Sequence, residues 1–139
     1  MDKDMPSQPT ALQQEMLQAG LDLLDQGMTV FDTDLRLVAW NRTFIELFNF
    51  PPHLAAVGTP LEAFVRYNVE HGEYGPGDTE AKIAEILADA REKEAHNYEI
   101  RRPNGRVLQI RREPLPGKGL VTLYSDVTEQ RYIEHLTEH

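Results

Sequence analysis

The sequence predicts an α+β fold, a five-stranded antiparallel sheet with helices on one face, flanked by an N-terminal and a C-terminal helix. Three observations predict it. Residues 28–32 and 36–40 are short strand-like runs joined by the turn Asp32-Thr33-Asp34, which makes a hairpin. Residues 96–102 and 107–112 alternate on either side of Pro103-Asn104-Gly105, and Pro116-Gly117-Lys118-Gly119 then turns the chain into a last strand. Helical patterns separate the two strand groups. Hairpin-linked strands in two groups with helices between them pack as one antiparallel sheet whose helices share a face.

The elements follow in order. Residues 1–10, with Pro6, Ser7, Gln8, Pro9 and Thr10, predict a disordered lead. Residues 11–26 predict a flanking helix with Leu12, Met16, Ala19 and Leu23 on one stripe and Leu17, Leu21 and Leu24 beside it, ended by Gly27. A stripe this broad suits packing on the chain's own sheet or pairing with a second copy, so a homodimer through 11–26 is expected. Asn41 directly follows the second strand and is a good N-cap for a short helix carrying Phe44, Ile45, Leu47 and Phe48. Pro51 and Pro52 stop that helix. The stretch to Gly77 reads as short helical turns broken by Gly58, Pro60, Gly72, Gly75 and Pro76, with Leu61, Phe64, Val65 and Tyr67 as its apolar face. Asp78 or Thr79 caps a longer helix in which Ile83, Ile86, Leu87 and Ala90 recur opposite Lys82, Glu85, Asp89 and Lys93.

The last strand passes without Gly or Pro into a polar helix start. Asp126 and Glu129 have capping-box spacing, in which the aspartate accepts from first-turn amides and the glutamate reaches back to the cap backbone. The junction is then stiff. Residues 127–139 begin an amphipathic helix through Val127, Gln130, Ile133 and Leu136, which suggests output to something beyond this chain.

Composition narrows the function classes. At 139 residues the chain is one domain, and 14 Lys plus Arg against 23 Asp plus Glu give a net charge of −9, which repels phosphate backbones and anionic lipid. Nucleic acid and membrane are not expected partners. Arg101, Arg102, Arg106, Arg111 and Arg112 gather on two adjacent strands and predict a basic strip, read first as a solvated sheet face and second as an anion or partner surface. The sequence has no cysteine, which removes disulfides, thiolate catalysis, zinc–thiolate sites and flavin–cysteinyl photochemistry. No apolar run reaches the roughly 18 residues of a membrane span, and the opening residues lack signal-peptide character, so a cytoplasmic location is expected.

The element order, with Trp40-Asn41-Arg42-Thr43-Phe44 and Asp126-Val127-Thr128-Glu129 at the two strand ends, resembles a PAS domain over about residues 21–129. Glu70-His71-Gly72-Glu73-Tyr74-Gly75-Pro76-Gly77-Asp78 is similar to the loop of a PAS subgroup common in bacterial sensor histidine kinases and cyclic-di-GMP signalling proteins. The resemblance implies a PAS core at 27–126 around a small pocket, with flanking helices that dimerise and carry a signal to a downstream kinase or other effector. It makes Asp126, Val127, Thr128 and Glu129 the signal-transmission motif and Asn41 the cap of the first short helix. The implied function is the non-catalytic input module of a two-component histidine kinase, sensing a small ligand or partner. The alternative is a ligand-free dimerisation or docking module of a kinase or cyclic-di-GMP protein.

Pocket candidates are Trp40, Phe44, Phe48, Phe64, Tyr67, Ile83, Leu87, Tyr98, Ile110 and Leu123, with Leu108 as a further wall and Tyr74 and Tyr124 as further sources of a hydroxyl. Each of these side chains also suits a plain core position. No cofactor is expected; haem through His71 or His96, and non-covalent flavin stacked on Trp40, are the alternatives. His53, His71, His96, His135 and His139 form no helical ligand pair except the last two at the terminus, so no metal is expected. A stand-alone enzyme ranks last, because no nucleophile elbow, phosphate-cradling loop or metal-ligand cluster occurs.

Overall fold

The computed structural model describes residues 10–137. Of the lead expected at 1–10, residues 1–9 lie outside the described chain, as do the final two residues, and Thr10 caps the first helix. That helix, α1 (Ala11–Asp22), opens with a capping box: Thr10 Oγ1 accepts from Gln13 N at 3.1 Å, and Gln13 Oε1 accepts from Thr10 N at 2.8 Å. It stops at Asp22, short of the expected residue 26. Leu23 N and Leu24 N bond back to Gly20 O and Leu21 O in a tightened last turn, and the side chain of Asn41 captures Leu21 O. Gly27 is therefore no helix end. It is the first residue of β1 (Gly27–Phe31), where an added Cβ would sit 3.0 Å from Phe44 Cα.

β1 pairs antiparallel with β2 (Leu37–Trp40) across a turn held by Asp32, whose Oδ1 accepts from Asp34 N and Arg36 N at 2.9 and 3.0 Å. Helix α2 (Arg42–Phe48) follows at once and ends on left-handed Asn49. A 3-10 turn (Pro52–Leu54) leads to α3 (Leu61–Glu70), a full helix where the sequence reading expected only broken turns. Pro60 and Gly72 punctuate its ends rather than its middle. Next comes α4 (Thr79–Arg91), capped by Asp78, whose carboxylate accepts from Ala81 N at 3.1 Å. The chain closes with β3 (His96–Arg101), β4 (Val107–Leu115), β5 (Gly119–Asp126) and α5 (Thr128–Thr137).

The five strands form one antiparallel sheet in the order β2-β1-β5-β4-β3, which is the α+β architecture the sequence predicts. Strand parity then assigns the faces. Thr29, Phe31, Leu108, Ile110, Leu120 and Thr122 are buried under α2, α3 and α4. The main core cluster combines Phe31, Leu37, Phe44, Phe48, Phe50, Leu54, Phe64, Leu108 and Ile110. A second cluster, Val65, Val69, Ile83 and Leu87, glues α3 to α4. In contrast α1 has no buried residue, and Leu12, Met16 and Leu17 stand exposed.

The expected basic strip is absent. Arg102 is turned inward to Glu73, Arg106 holds Asp126, Arg111 holds Glu113 and Arg112 reaches Asp89, so four of the five arginines are spent in separate ion pairs and Arg101 stands exposed. Their strands are adjacent, but a side-chain period of two sends neighbours to opposite faces.

Candidate functional site: an aromatic cavity and a strand-to-helix junction

A cavity of about 90 Å3 lies between the sheet and the helices. Phe31, Phe44, Phe48, Phe50 and Phe64 provide most of its wall, and Ile110 and Tyr124 form its sheet side. The rings meet edge to face or tilted, with Phe44 and Phe64 5.6 Å apart and Phe44 and Tyr124 5.2 Å apart. Polar groups occupy the rest: Asn68 from α3, Glu73 and Tyr74 from the following loop, Tyr98 from β3 and Arg112 from β4.

Two ion pairs close this polar side. Arg102 donates to both Glu73 oxygens at 2.6 and 3.1 Å and to Leu47 O at 2.7 Å, with its guanidinium 4.9 Å from the Phe48 ring centre. It thereby staples the loop after α3 to the end of α2. Arg112 donates to Asp89 of α4 at 3.1 Å. Arg112 in the lining and Arg102 behind Glu73 thus each have a carboxylate partner. Burial pushes the Tyr74 phenol up to about 12 and raises Tyr98 and Tyr124 as well, all from an ordinary value at which a phenol is already neutral at pH 7. The Tyr124 phenol feels a weaker opposing pull from the nearby Thr29 hydroxyl, which is buried without meeting hydrogen-bond geometry. Asn68 Oδ1 is likewise buried without a partner.

The sequence-based pocket set divides. Phe44, Phe48, Phe64, Tyr98 and Ile110 line the cavity, as do Tyr74 and Tyr124. Ile83 and Leu87 do not: they face α3, while Ile86 and Ala90 of the same helix face the cavity. Leu123 is a correction of parity. It stands opposite Met28 and Arg111, out of step with Thr122 and Tyr124, and so belongs to the other face of the sheet. Trp40 and Tyr67 pack against the core cluster without reaching the cavity, and the Tyr67 hydroxyl donates to Asn49 O at 3.2 Å. Leu108 is fully buried in the same cluster. Of the haem candidates, His71 stacks on Tyr67 at 3.9 Å and His96 is exposed, and neither lines the cavity. Among the described residues no cluster of three or more His, Asp or Glu is placed to hold a metal ion. Phe31, Phe50, Asn68, Glu73 and Arg112 were missed by sequence reasoning. Only Phe31, inward in an alternating strand, carried a local signal.

Asn41 does more than cap. Its Oδ1 accepts from Met28 N at 2.9 Å and Phe44 N at 3.2 Å, and its Nδ2 donates to Leu21 O at 2.9 Å and Gln26 O at 2.8 Å. All four bonding positions of the amide are filled, and the residue has no solvent exposure. One side chain thus ties the end of α1 and the start of β1 to the first turn of α2.

At the exit, the expected capping box does not form, because α5 begins at Thr128, one residue later than that motif requires. Asp126 Oδ1 instead accepts from Thr128 N at 3.0 Å and Thr128 Oγ1 at 2.6 Å, while its Oδ2 accepts from Arg106 Nε at 2.9 Å. Thr128 Oγ1 accepts in turn from Val107 N at 2.8 Å, and Val127 N donates to Val107 O at 2.9 Å. The Val127 side chain is buried. Glu129 takes no part in this network and is exposed. Partial burial alone would raise the Asp126 carboxyl, but the hydrogen bonds from Thr128 and Arg106 outweigh it and hold its pKa below the ordinary value. Farther along α5, Arg131 donates to Glu99 of β3 at 2.6 Å.

The profile of the family described as PAS fold matches residues 21–135. The chain belongs to the PAS fold family. It is 26% identical over 122 residues to the sensor protein DivL of Caulobacter vibrioides, a match covering 86% of this chain and 16% of DivL. The chain therefore spans only about a sixth of that relative. Among solved structures it is similar to the PAS domain of BvgS from Bordetella pertussis, with a TM-score of 0.56, 19% identity, and coverage of 91% of this chain and 97% of that one. A phage VqmA–DPO complex gives the same TM-score of 0.56 at 19% identity, over 89% of this chain and 58% of that one. Likeness at this identity speaks for the fold. Among the described residues no helix is long and apolar enough to cross a membrane.

Proposed function

We propose that this domain is the sensory input module of a cytoplasmic bacterial sensor histidine kinase, itself without catalytic activity. A small ligand or partner acts at the aromatic cavity, and the response leaves through Asp126, Val127 and Thr128 into α5. The observation that carries this reading is the closed set of bonds at the exit. Val107 of β4 is bonded to both Val127 and Thr128, so the last rung of the sheet and the first turn of α5 move as one body. The likeness to DivL supports a kinase as the parent protein.

In the full-length parent, Asp126→Ala and Thr128→Ala are expected to keep the fold and uncouple kinase output from stimulus. Regulation that survives both substitutions overturns the relay. A second reading, a ligand-free dimerisation module, is favoured by one observation: the apolar side chains Leu12, Met16 and Leu17 of α1 are left uncovered. Native mass spectrometry of gently purified protein separates the two, since a retained small molecule supports sensing. Loss of the dimer on placing Lys at Leu12 and Met16, with no ligand ever retained, supports docking.

A further inference from the structure

We infer that the cavity takes a small, planar, electrically neutral molecule carrying an N–H donor beside an acceptor, of the primary amide or pyrazole kind. This rests on the ligand-sensing reading above and specifies its chemistry.

Size comes first. A cavity of about 150 Å3 holds benzene, so 90 Å3 without rearrangement suits a molecule of about four non-hydrogen atoms. Shape follows from the wall, where phenylalanine and tyrosine rings leave flat apolar surfaces that favour a flat guest.

Charge is settled by what the wall has already neutralised. Arg102 is committed to Glu73 through two hydrogen bonds and Arg112 to Asp89 through one. A cationic guest would have to take Glu73 from Arg102, and a carboxylate guest, although Arg112 keeps N–H groups it does not spend on Asp89, brings no donor for the unpartnered Asn68 Oδ1. The first leaves an unpaired charge in a nearly buried site and the second leaves a buried acceptor bare, at costs a ligand this small cannot recover. A neutral guest disturbs neither pair. The three tyrosine hydroxyls, protonated at neutral pH as phenols ordinarily are, add neutral donors and acceptors only.

Hydrogen bonding supplies the remaining demand. Asn68 is 7% exposed, lines the cavity, and its Oδ1 has no partner. A buried acceptor in this state asks for a donor. If water fills the role, a guest that expels the water must still bring a donor or leave the oxygen bare. A primary amide or a pyrazole presents donor and acceptor side by side, and so can answer both ends of the Asn68 amide at once.

The test is an NMR titration of the whole chain with pyrazole, acetamide, acetate and furan, alongside xenon as a chemically blind probe of the cavity. Pyrazole and acetamide are expected to bind in the millimolar range, shifting Asn68 and Tyr124 signals at least tenfold more tightly than acetate or furan. Asn68→Leu, close in volume, should abolish that tenfold preference while xenon and furan still enter. Should furan or acetate match pyrazole, or should the preference persist in Asn68→Leu, the chemical assignment is overturned and the cavity remains a sensing site. If xenon and every probe are excluded, the cavity is closed to guests, and both the assignment and the ligand-sensing reading fall.

Discussion

Replacing Asn41 by Ala removes four hydrogen bonds at one stroke, to Met28 N, Phe44 N, Leu21 O and Gln26 O. Each bond contributes about 1 kcal/mol net, so the loss is about 4 kcal/mol if no water enters, and about 2 kcal/mol if water reaches the two carbonyls. For a domain with a total stability of roughly 5–15 kcal/mol, either is a large fraction. In melting temperature it amounts to a drop of about 8–16 °C at this chain length. Asn41→Asp gives an internal control, because it keeps the two accepted bonds and loses the two donated ones, while setting a carboxylate against Leu21 O and Gln26 O. Urea denaturation of the two variants and the parent sequence, followed by circular dichroism, measures both differences. A loss below about 1 kcal/mol for Asn41→Ala would show that the residue is only a helix cap, and the claim that it knits α1, β1 and α2 together would fail.

Three further outcomes follow from named contacts. Gly119 adopts φ 131° and an added Cβ would lie 1.9 Å from Phe31 O, so Gly119→Ala should cost more than about 3 kcal/mol and leave a largely unfolded chain; a well-dispersed NMR spectrum would refute this. Arg102→Met strands the Glu73 carboxylate in a nearly buried site and should cost about 3 kcal/mol, part of which returns in the double variant with Glu73→Gln; additive losses would mean the pair is not coupled. The Asp126 carboxyl is depressed below its ordinary 3.8, so the stability it lends is present above that value and drains away as pH falls through its lower folded-state value. Carbon-detected NMR should find Asp126 titrating below 3.8 together with the Thr128 amide, and a midpoint at or above 3.8 contradicts the hydrogen-bond network.

What the sequence disclosed and what it hid divide along sequence separation and phase. Both hairpins, the Asn41 and Asp78 caps and the exit helix were legible because each is decided within a few residues. The start of α5 was misjudged by one residue because Val127 is still tied to β4, its N donating to Val107 O twenty positions back, a contact no local pattern shows. Cavity membership on α4 was hidden for a different reason. Ile83, Ile86, Leu87 and Ala90 form two adjoining stripes, and periodicity cannot say which stripe meets α3 and which meets the cavity. On β5 the run Leu120-Val121-Thr122-Leu123-Tyr124 has bulky side chains at both parities, so alternation does not choose a face; Leu123 was assigned inward when Tyr124 holds that place. The Glu73–Arg102 pair spans the loop, α4 and β3, and no local pattern points to it.

The proposed relay is short enough to argue rung by rung. Tyr124 lines the cavity from β5 and stands opposite Ile110 of β4, which lines it too. The next pair of the same parity is Asp126 opposite Leu108, and the residue beside Leu108 is Val107, bonded to Val127 and Thr128. A guest that displaces the Tyr124–Ile110 pair therefore acts two residues upstream of the carboxylate that fixes α5. No loop intervenes to absorb the displacement. One turn into α5, Arg131 pairs with Glu99 of β3, a half-exposed ion pair whose energy is small and screened by salt. The first turn of α5 is thus held both by Val107 and by Glu99, while residues 132–137 are exposed, so in the proposed relay a small change of strand angle at Asp126 would swing the helix rather than unfold it locally. Breaking the bonds at Val107 would disconnect that swing, and removing the Arg131–Glu99 pair alone would leave it.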